Sequence, residues 1–182
     1  MIRLAIQKSG RLSEKSLELL GQCGIKVSNG NNVLKTIVQN FNMEVLFLRD
    51  DDIPEYVQDG VADIGIVGQN VVAEKQKNVI ELLELGFGKC RLSLAVSKTE
   101  SYNDITYFQG KRIATSYPVI LNNYLKKCGV SASIHEISGS VEIAPGIGLA
   151  EGICDIVSSG STLFSNGLKE VEKIFQSQAV LI

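Results

Sequence analysis

The sequence has only one histidine, and its four cysteines are scattered without any C-x-x-C spacing. A histidine-based catalytic triad would therefore depend on His135, which lies between polar neighbours and is predicted to face outward from a strand. Scattered cysteines argue against both a disulfide framework and a zinc site. Because their neighbours are apolar, they are predicted to be buried thiols in a reducing cytoplasm. They are Cys23, Cys90, Cys128 and Cys154.

Long apolar runs and an excess of charge of either sign are also missing. The net charge of −2 gives no indication of a surface for nucleic acid or acidic membranes. No apolar run reaches the length needed to span a bilayer, and the first eight residues form a strand pattern rather than a signal peptide. With 182 residues, 45% of them hydrophobic, the chain can form one large domain or two small lobes. We therefore expect a soluble cytoplasmic protein that binds neither nucleic acid nor membrane.

The sequence does contain an alternation of strand and helix patterns. Strand patterns cover residues 2–6, 43–48, 61–67, 87–96, 111–116, 132–137 and about 174–182. Helical patterns cover residues 14–20, 53–58, 70–77, 119–127 and 148–152, and turn residues lie at 28–32. Ser13 and Asp52 are predicted helix caps, and Pro54 and Pro118 fit first helical turns. This alternation predicts an α/β fold with mostly parallel sheets.

A short pattern occurs twice in the chain. Residues 59–68 and 151–160 both place an acid, Gly, Asp, Ile and Gly at the same five positions. This repeat predicts two similar α/β lobes around a cleft: lobe 1 over residues 1–89, with a C-terminal strand at about 175–182 returning to it, and lobe 2 over residues 90–174. Ligands of open α/β sheets bind beyond the carboxyl ends of the strands, so both repeated turns would face that cleft. The alternative is coincidence among short α/β patterns.

The second copy of this pattern has the composition of a phosphate site. Ile156 and Val157 are predicted to end a strand, residues 158–162 supply hydroxyls and a glycine, and a helical pattern begins at Leu163. Unpaired N–H groups and the helix dipole would both favour an anion there. Asp155 would repel a phosphate, so it suits ribose hydroxyls instead. The alternative is an ordinary Ser/Gly turn after a buried strand.

Residues 142–163 read E-I-A-P-G-I-G-L-A-E-G-I-C-D-I-V-S-S-G-S-T-L. This segment resembles the signature segment of the ATP phosphoribosyltransferase family, and the resemblance spans the whole chain. Five further segments resemble the same family, especially its long form. They are QKSGRLS at 7–13, RDDDIP at 49–54, DIGIVG at 63–68, CRLSLA at 90–95 and ATSYP at 114–118. A set of separate motifs in the same order is highly specific.

The resemblance implies a glycosyltransferase that joins N1 of ATP to C1 of the ribose of 5-phosphoribosyl 1-pyrophosphate, the first step of histidine biosynthesis. Pyrophosphate leaves, and Mg²⁺ is required. The implied architecture is like that of type II periplasmic binding proteins. Breaking the anomeric bond leaves positive character on the sugar and negative charge on pyrophosphate. Such an enzyme mainly holds two substrates in line and stabilises the departing charge.

By the same resemblance, the second lobe would bind the phosphoribosyl donor, with Asp155 on the ribose hydroxyls. The residues expected at its 5-phosphate are Ser159, Gly160, Ser161, Thr162 and Leu163. Glu142 is a candidate acceptor for substrate hydroxyls or the adenine amino group, and its alternative is a solvated acid. Tyr117 is a candidate to stack on adenine, although an aromatic residue before proline is as often only packing.

In the first lobe, the candidates are basic residues that follow predicted strands. Lys8 and Arg11, with Ser9 and Gly10 between them, suit the phosphates of ATP or the leaving pyrophosphate; the alternative is a solvated basic turn. Arg49 is a second candidate for pyrophosphate. Residues 50–52 are either a solvated acidic run with one helix cap or an indirect magnesium site near Asp50 and Asp51. No direct metal ligand is predicted, because Mg²⁺ keeps waters and substrate oxygens as ligands.

The length of the chain departs from the family pattern. Long-form members carry a further C-terminal domain that binds histidine and builds hexamers, whereas short-form members associate with a regulatory subunit resembling histidyl-tRNA synthetase. We expect a long-form catalytic core without the regulatory domain, forming a dimer of cores, or a hexamer where that domain is present. Two rival expectations remain: a non-catalytic two-lobed binding module, and a subunit that needs a partner for activity.

Overall fold

The computed structural model describes residues 1–28 and 33–182, and these divide into two compact units. Unit 1 comprises Met1–Lys89 and Ser177–Ile182, and unit 2 comprises Cys90–Gln176. Each unit contains one mixed β-sheet with helices packed against it. The α/β fold expected from the sequence is confirmed. Most of the turn predicted at 28–32 lies outside the described residues.

Unit 1 contains a six-stranded sheet in the order β2-β3-β1-β4-β11-β5. Its three central strands β3, β1 and β4 are parallel, and β2, β11 and β5 pair antiparallel at the sides. The strands are β1 (Ile2–Gln7), β2 (Lys35–Ile37), β3 (Met43–Leu48), β4 (Ile64–Gly68), β5 (Leu83–Glu84) and β11 (Ala179–Leu181). The helices are α1 (Arg11–Gln22), α2 (Ile53–Gln58) and α3 (Gln69–Lys75), with a short 3-10 helix at Asp50–Asp52.

Unit 2 contains a five-stranded sheet in the order β10-β6-β9-β7-β8. Strands β8, β7 and β9 are parallel, and β6 pairs antiparallel with β9. The strands are β6 (Cys90–Ser97), β7 (Arg112–Thr115), β8 (Ser133–Glu136), β9 (Gly152–Val157) and β10 (Leu168–Ser177). The helices are α4 (Pro118–Cys128) and α5 (Ser161–Ser165), with 3-10 helices at Ile105–Phe108 and Val141–Ile143. In both units the sheet is mixed, so the prediction of mostly parallel sheets holds only for three adjacent strands in each: β3, β1 and β4 in unit 1, and β8, β7 and β9 in unit 2.

The two units repeat one topology, but not in the register that the sequence pattern suggested. Where β1 begins, the Arg3 backbone N–H donates to Asp63 Oδ2 at 2.7 Å, and the Arg3 guanidinium lies 3.5 Å from the same carboxylate. Where β7 begins, Arg112 makes the same two contacts with Glu151, at 2.8 and 2.5 Å. Asp63 therefore corresponds to Glu151. The pairing of Asp63 with Asp155 was wrong by four residues, and buried Val67 occupies the position of Asp155 in unit 1.

Other predictions about local structure need correction. Helix α1 begins at Arg11 with Gly10 at its N-cap, so Ser13 is a buried helical residue whose side chain caps nothing. Asp52 precedes α2, but its side chain makes no capping hydrogen bond. The helix expected at 148–152 is absent from the described chain, which instead has a 3-10 turn at Val141–Ile143. Of the four cysteines only Cys154 is buried, because the helix ends bearing Cys23 and Cys128 are exposed.

The single final strand predicted near the C-terminus is two strands in different sheets. Strand β10 ends at Ser177 and β11 begins at Ala179. At the break, the Asn70 backbone N–H donates to the Ser177 hydroxyl at 3.0 Å, and that hydroxyl donates to Asn70 Oδ1 at 2.8 Å. Both side chains are buried, so this polar pair fixes the chain where β10 gives way to β11.

The Arg112–Glu151 pair gives a pH-dependent contribution to stability. Hydrogen bonds from Arg112 lower the pKa of Glu151 from 4.5 to about 2. A carboxylate with a depressed folded pKa adds stability above its ordinary pKa and loses it as the pH falls through the folded value. We expect Glu151→Gln to be less stable than the parent at pH 6, with the difference shrinking between pH 4.5 and 2. Urea unfolding at several pH values measures this, and a difference that stays constant with pH would contradict it.

Candidate functional site

Two strand ends in unit 2 bring Tyr117 and Asp155 to the same edge of the sheet. Strands β7 and β9 are parallel, with Thr115 opposite Cys154. The buried Thr115 hydroxyl donates to the Cys154 carbonyl at 2.7 Å and accepts from the Tyr117 backbone N–H at 2.9 Å. Thr115 therefore fixes the backbone beside both candidate residues. Sequence reasoning assigned no role to Thr115, because a threonine at a strand end has many ordinary explanations.

Asp155 is a partly buried carboxylate next to another acid. Its Oδ1 accepts a hydrogen bond from the Ile156 backbone N–H at 2.8 Å. Burial raises the pKa of Asp155 above its ordinary value, and the negative charge of Glu142 raises it further. Glu142 lies on the 3-10 turn at Val141–Ile143. The two acids that the sequence predicted separately are therefore close enough for the charge of one to affect the other.

The loop at residues 158–160 connects β9 to α5, and its serine side chains are exposed. Gly160 has φ +83°, which favours glycine, and it forms the N-cap of α5. The Ser159 and Ser161 hydroxyls are 2.9 Å apart, and the side chains of Ser159, Ser161 and Thr162 are exposed. Helix α5 begins at Ser161, two residues earlier than predicted, and the first N–H groups of a helix have no partner within it. The loop therefore exposes several hydroxyls, and the Ser161 backbone N–H donates to the Ser159 hydroxyl at 3.4 Å.

Leu163 contributes to the loop in a different way from its polar neighbours. Its side chain is only 6% exposed and packs in the core cluster with Val141, Ile153 and Val157. The Leu163 side chain therefore anchors α5 to the sheet. The 3-10 turn of Glu142 packs on the same cluster through Val141, so one core supports both the loop and the acid.

The structure adds an arginine to this site that the sequence did not single out. Arg91, on β6, makes a bidentate ion pair with Glu170 on β10, at 2.5 and 2.6 Å. It also donates from Nη1 to the carbonyl oxygen of Ser158 at 3.2 Å, and buried Ser93 donates to Glu170 at 2.7 Å. The available signal was a charged residue in the otherwise uncharged strand C-R-L-S-L-A-V-S.

In unit 1, two of the three expected basic residues, Lys8 and Arg49, line a pocket of about 330 Å³ at the carboxyl ends of β1 and β3. Gln7 lies opposite Leu48 in the register, and the Lys8 backbone N–H donates to the Leu48 carbonyl at 2.7 Å. This pairing places Lys8 and Arg49 side by side just beyond the sheet. The lining residues are Gln7, Lys8, Ser9, Leu48, Arg49, Asp50 and Asp51. Gly10 and Arg11 are not among them; Arg11 is instead the exposed first residue of α1.

The acidic side of this pocket is also arranged by neighbouring groups. Burial raises the pKa of Asp50, and the adjacent Asp51 charge raises it further. Lys75 Nζ lies 3.1 Å from Asp51 Oδ2 and offsets part of this repulsion. Within residues 1–28 and 33–182, no group of three or more His, Cys, Asp or Glu side chains could enclose a metal ion. Two adjacent carboxylates are instead suited to contacting a hydrated divalent cation through its waters.

Two further features concern His135 and the lengths of the helices. His135 is exposed on β8, as predicted, and is not among the residues at either site. In the part of the chain that the structure describes, no helix is both long and apolar enough to cross a membrane.

Comparison with known proteins relates this chain to ATP phosphoribosyltransferases over most or all of its length. The family model described as HisG: ATP phosphoribosyltransferase matches residues 49–182. The ATP phosphoribosyltransferase of Cytophaga hutchinsonii is 62% identical over 181 residues, which is 100% of this chain and 63% of that protein. The ATP phosphoribosyltransferase of Bacteroides thetaiotaomicron is 58% identical. The chain therefore spans less than two thirds of the length of these relatives.

Solved structures give the same relationship at the level of the fold. A chain of the ATP phosphoribosyl transferase (HisG:HisZ) complex from Thermotoga maritima matches with a TM-score of 0.83 and 32% identity, covering 100% of this chain and 86% of that one. The substrate binding protein of an amino acid ABC transporter matches with a TM-score of 0.62 at 11% identity, covering 99% of this chain and 83% of that one. The second match confirms the predicted likeness to periplasmic binding proteins, and it concerns the fold alone.

Proposed function

This chain belongs to the ATP phosphoribosyltransferase family, and we propose that it carries the catalytic part of such an enzyme. The reaction joins N1 of ATP to C1 of the ribose of 5-phosphoribosyl 1-pyrophosphate, releases pyrophosphate, and begins histidine biosynthesis. The observation that carries this proposal is the arrangement in unit 2, where Asp155 and Glu142 lie on the same core that supports the donor-rich loop at 158–162. We place the reaction in the cytoplasm, where a thiol outside any disulfide, such as that of Cys23, remains reduced.

Unit 2 would bind the phosphoribosyl donor with two kinds of group: hydrogen-bond donors for its phosphate and a carboxylate for its ribose hydroxyls. The 5-phosphate would lie on the loop, where Ser159, Ser161 and Thr162 offer hydroxyl and backbone N–H donors around Gly160. The ribose hydroxyls would donate to Asp155, because an ionised carboxylate is the stronger acceptor. Separating the carboxylates from the phosphate avoids repulsion and fixes the direction in which the sugar lies.

Unit 1 would stabilise the charge of a polyphosphate. Lys8 and Arg49 meet beyond neighbouring strand ends and line the same pocket. Both cations would hold the pyrophosphate group as negative charge develops on it, which is a form of electrostatic stabilisation. Mg²⁺, bound with the substrate and approached by Asp50 and Asp51 through its waters, would supply further positive charge. Arg11 and the backbone of Ser9 and Gly10 would bind more distant phosphate oxygens.

Tyr117 is the aromatic candidate for the adenine of ATP. The backbone of Tyr117 is fixed by Thr115 beside the strand that carries Asp155. Stacking of its ring on adenine would orient N1 toward C1 of the ribose, and correct orientation is a large part of catalysis in bimolecular reactions. Glu142 would accept a hydrogen bond from a substrate hydroxyl or from the adenine amino group.

A second candidate function is a subunit that needs a partner for full activity. The Thermotoga maritima match is a chain of a HisG:HisZ complex. By analogy, this chain would bind both substrates but reach full turnover only with another subunit, or as a homo-oligomer of its own. Measuring turnover at increasing chain concentration, with donor binding measured alongside, separates these possibilities: activity that rises more steeply than in proportion to concentration favours self-association.

The donor site can be tested at the glycine of the loop. Gly160 has φ +83° and a new Cβ there would lie 3.9 Å from Val157, so space is available but the backbone conformation is unfavourable. Gly160→Val should cost roughly 1–2 kcal/mol of local strain, and we expect the loop to escape by changing shape. Affinity for 5-phosphoribosyl 1-pyrophosphate should then fall at least tenfold in calorimetric titration.

Gly167 provides the matched control for this experiment. It has φ +71°, lies beyond the other end of α5 and has open space around its Cβ position. Gly167→Val should carry a similar backbone cost and leave donor affinity unchanged. Equal loss of affinity in both variants would show that strain in α5, rather than the loop itself, controls binding, and unchanged affinity in a folded Gly160→Val protein would remove the loop from the donor site.

A further inference from the structure

The ion pair between Arg91 and Glu170 is unusually well connected for a surface pair. Its two hydrogen bonds measure 2.5 and 2.6 Å, and the two side chains are 27% and 23% exposed. Glu170 also accepts from the hydroxyl of Ser93, which is 1% exposed. A bidentate, partly buried pair with a third hydrogen bond is rigid, because each group fixes the orientation of the next.

This pair lies on the face of the sheet that carries the candidate site. Strand β6 is antiparallel to β9, with Ser93 opposite Asp155 and Arg91 opposite Val157. Directly opposite residues of an antiparallel pair project on the same face. Arg91 therefore sits across from the last residue of β9, and its Nη1 reaches the carbonyl of Ser158, the first residue of the loop, at 3.2 Å.

The contact with Ser158 has a consequence for anion binding. A backbone carbonyl carries negative partial charge and repels a phosphate, whereas backbone N–H groups attract it. A donor that holds the Ser158 carbonyl on the sheet side keeps that oxygen away from an anion resting on the loop. It also fixes the peptide plane that follows, and with it the direction of the Ser159 N–H. Arg91 has the planar set of donors needed to hold Glu170 and Ser158 together, which lysine lacks.

We propose that Arg91 is a positioning residue for the phosphate loop: held by Glu170, it fixes the Ser158 carbonyl so that the loop presents its N–H groups to a phosphate monoester. This inference rests on the proposed function for its ligand, the 5-phosphate of the donor. The orientation of the loop in the unliganded protein does not depend on that ligand, so it can be tested separately.

The second bidentate arginine pair of unit 2 supplies a matched control. The Arg112 guanidinium donates two hydrogen bonds to the Glu151 carboxylate, at 2.5 and 3.2 Å. This pair lies where β7 and β9 begin, at the opposite end of these strands from the loop. Arg91→Met and Arg112→Met each remove one guanidinium and keep an apolar stem. Arg91→Lys is the conservative variant and guards against a folding failure of Arg91→Met.

Two measurements on these variants test the proposal. In amide hydrogen exchange of the unliganded chain, peptides covering residues 158–165 should exchange faster in Arg91→Met and Arg91→Lys, and at the parent rate in Arg112→Met. In calorimetric titration, affinity for 5-phosphoribosyl 1-pyrophosphate should fall about tenfold in Arg91→Met, less in Arg91→Lys, and not at all in Arg112→Met; tenfold is the loss expected for one charge-assisted hydrogen bond.

The outcomes separate the positioning role from the proposed function. Unchanged exchange at 158–165 in both Arg91 variants overturns the positioning role, whatever the affinity. Equal loss of affinity in Arg91→Met and Arg112→Met also overturns it, because the effect would then follow from general destabilisation. If the parent chain binds no donor while residues 158–165 still exchange faster in the Arg91 variants, the positioning role stands and the proposed ligand is wrong.

Discussion

Asp155→Asn is expected to lower turnover by roughly 10²–10³-fold, the usual effect of removing one group that stabilises charge in the transition state. As positive character develops on the ribose, the ionised carboxylate of Asp155 interacts more strongly with the sugar hydroxyls than it did in the ground state. An amide keeps the size and one acceptor but removes the charge. Steady-state measurement of pyrophosphate release tests this, and turnover within a few-fold of the parent would return Asp155 to a structural role.

The same substitution should not destabilise the protein at neutral pH. Burial raises the folded pKa of Asp155, so the folded state favours the protonated form. For an acid with a raised folded pKa, stability falls as the pH rises through the interval between the unfolded and folded values. At pH 7 the parent therefore carries the cost of an ionised, partly buried group that Asn removes. We expect Asp155→Asn to match or exceed the parent in urea unfolding at pH 7.

Asp63 gives the opposite expectation and serves as the control. It occurs in the same Asp-Ile pair, but the Arg3 backbone N–H and guanidinium lower its pKa, and it lies where β4 begins, away from the carboxyl ends of the strands. Asp63→Asn should lose stability at pH 7 and retain turnover. A result in which both variants lose turnover equally would show that the two acids share a structural role.

The double substitution Lys8→Ala/Arg49→Ala is expected to lower turnover by roughly 10³-fold, since cations at a transferring phosphate group commonly contribute effects of this size. The loss has two parts. First, two positive charges that would meet the pyrophosphate disappear. Second, the negative charges of Asp50 and Asp51 remain in the pocket, where Lys75 forms an ion pair with Asp51. Turnover should recover partly as Mg²⁺ is increased, because added cation replaces some of the missing charge.

Lys15→Ala controls for the general loss of positive charge. Lys15 is exposed on α1, where it pairs with Glu18 at 2.7 Å, and it does not line the pocket. This variant should turn over at the parent rate. If the double variant remains folded and retains more than about a tenth of the parent turnover, the pocket in unit 1 is not the pyrophosphate site. A tenfold loss of turnover corresponds to about 1.4 kcal/mol of activation free energy.

The sequence was most informative where local chemistry determines local structure. Ser159, Gly160 and Asp155 could be placed at the end of a strand because an apolar run stopped at small polar residues. Lys8 and Arg49 were each predicted to follow a strand, but that they lie side by side depends on the pairing of β1 with β3, which the sequence did not predict. The local predictions required only the point at which each strand pattern ends.

Features that depend on contacts distant in sequence could not be predicted in this way. Arg91 meets Glu170 and Ser158 only because β6 lies between β10 and β9, an order that a single sequence does not reveal. The repeat was read in the wrong register because both units use an arginine–acid pair where their strands begin, and Glu151 in unit 2 replaces the aspartate of unit 1. The break near Ser177 was missed because only Gln178 separates the two strands and no glycine or proline marks the change of sheet.

The most direct test of the central proposal is pyrophosphate release when the chain is mixed with 5-phosphoribosyl 1-pyrophosphate, Mg²⁺ and ATP. We predict release that requires ATP, yields one adduct of ATP and phosphoribose per pyrophosphate, and falls to near background with Asp155→Asn. The account would be contradicted by release at the same rate without ATP, or by no release above spontaneous hydrolysis from a folded chain that binds both substrates.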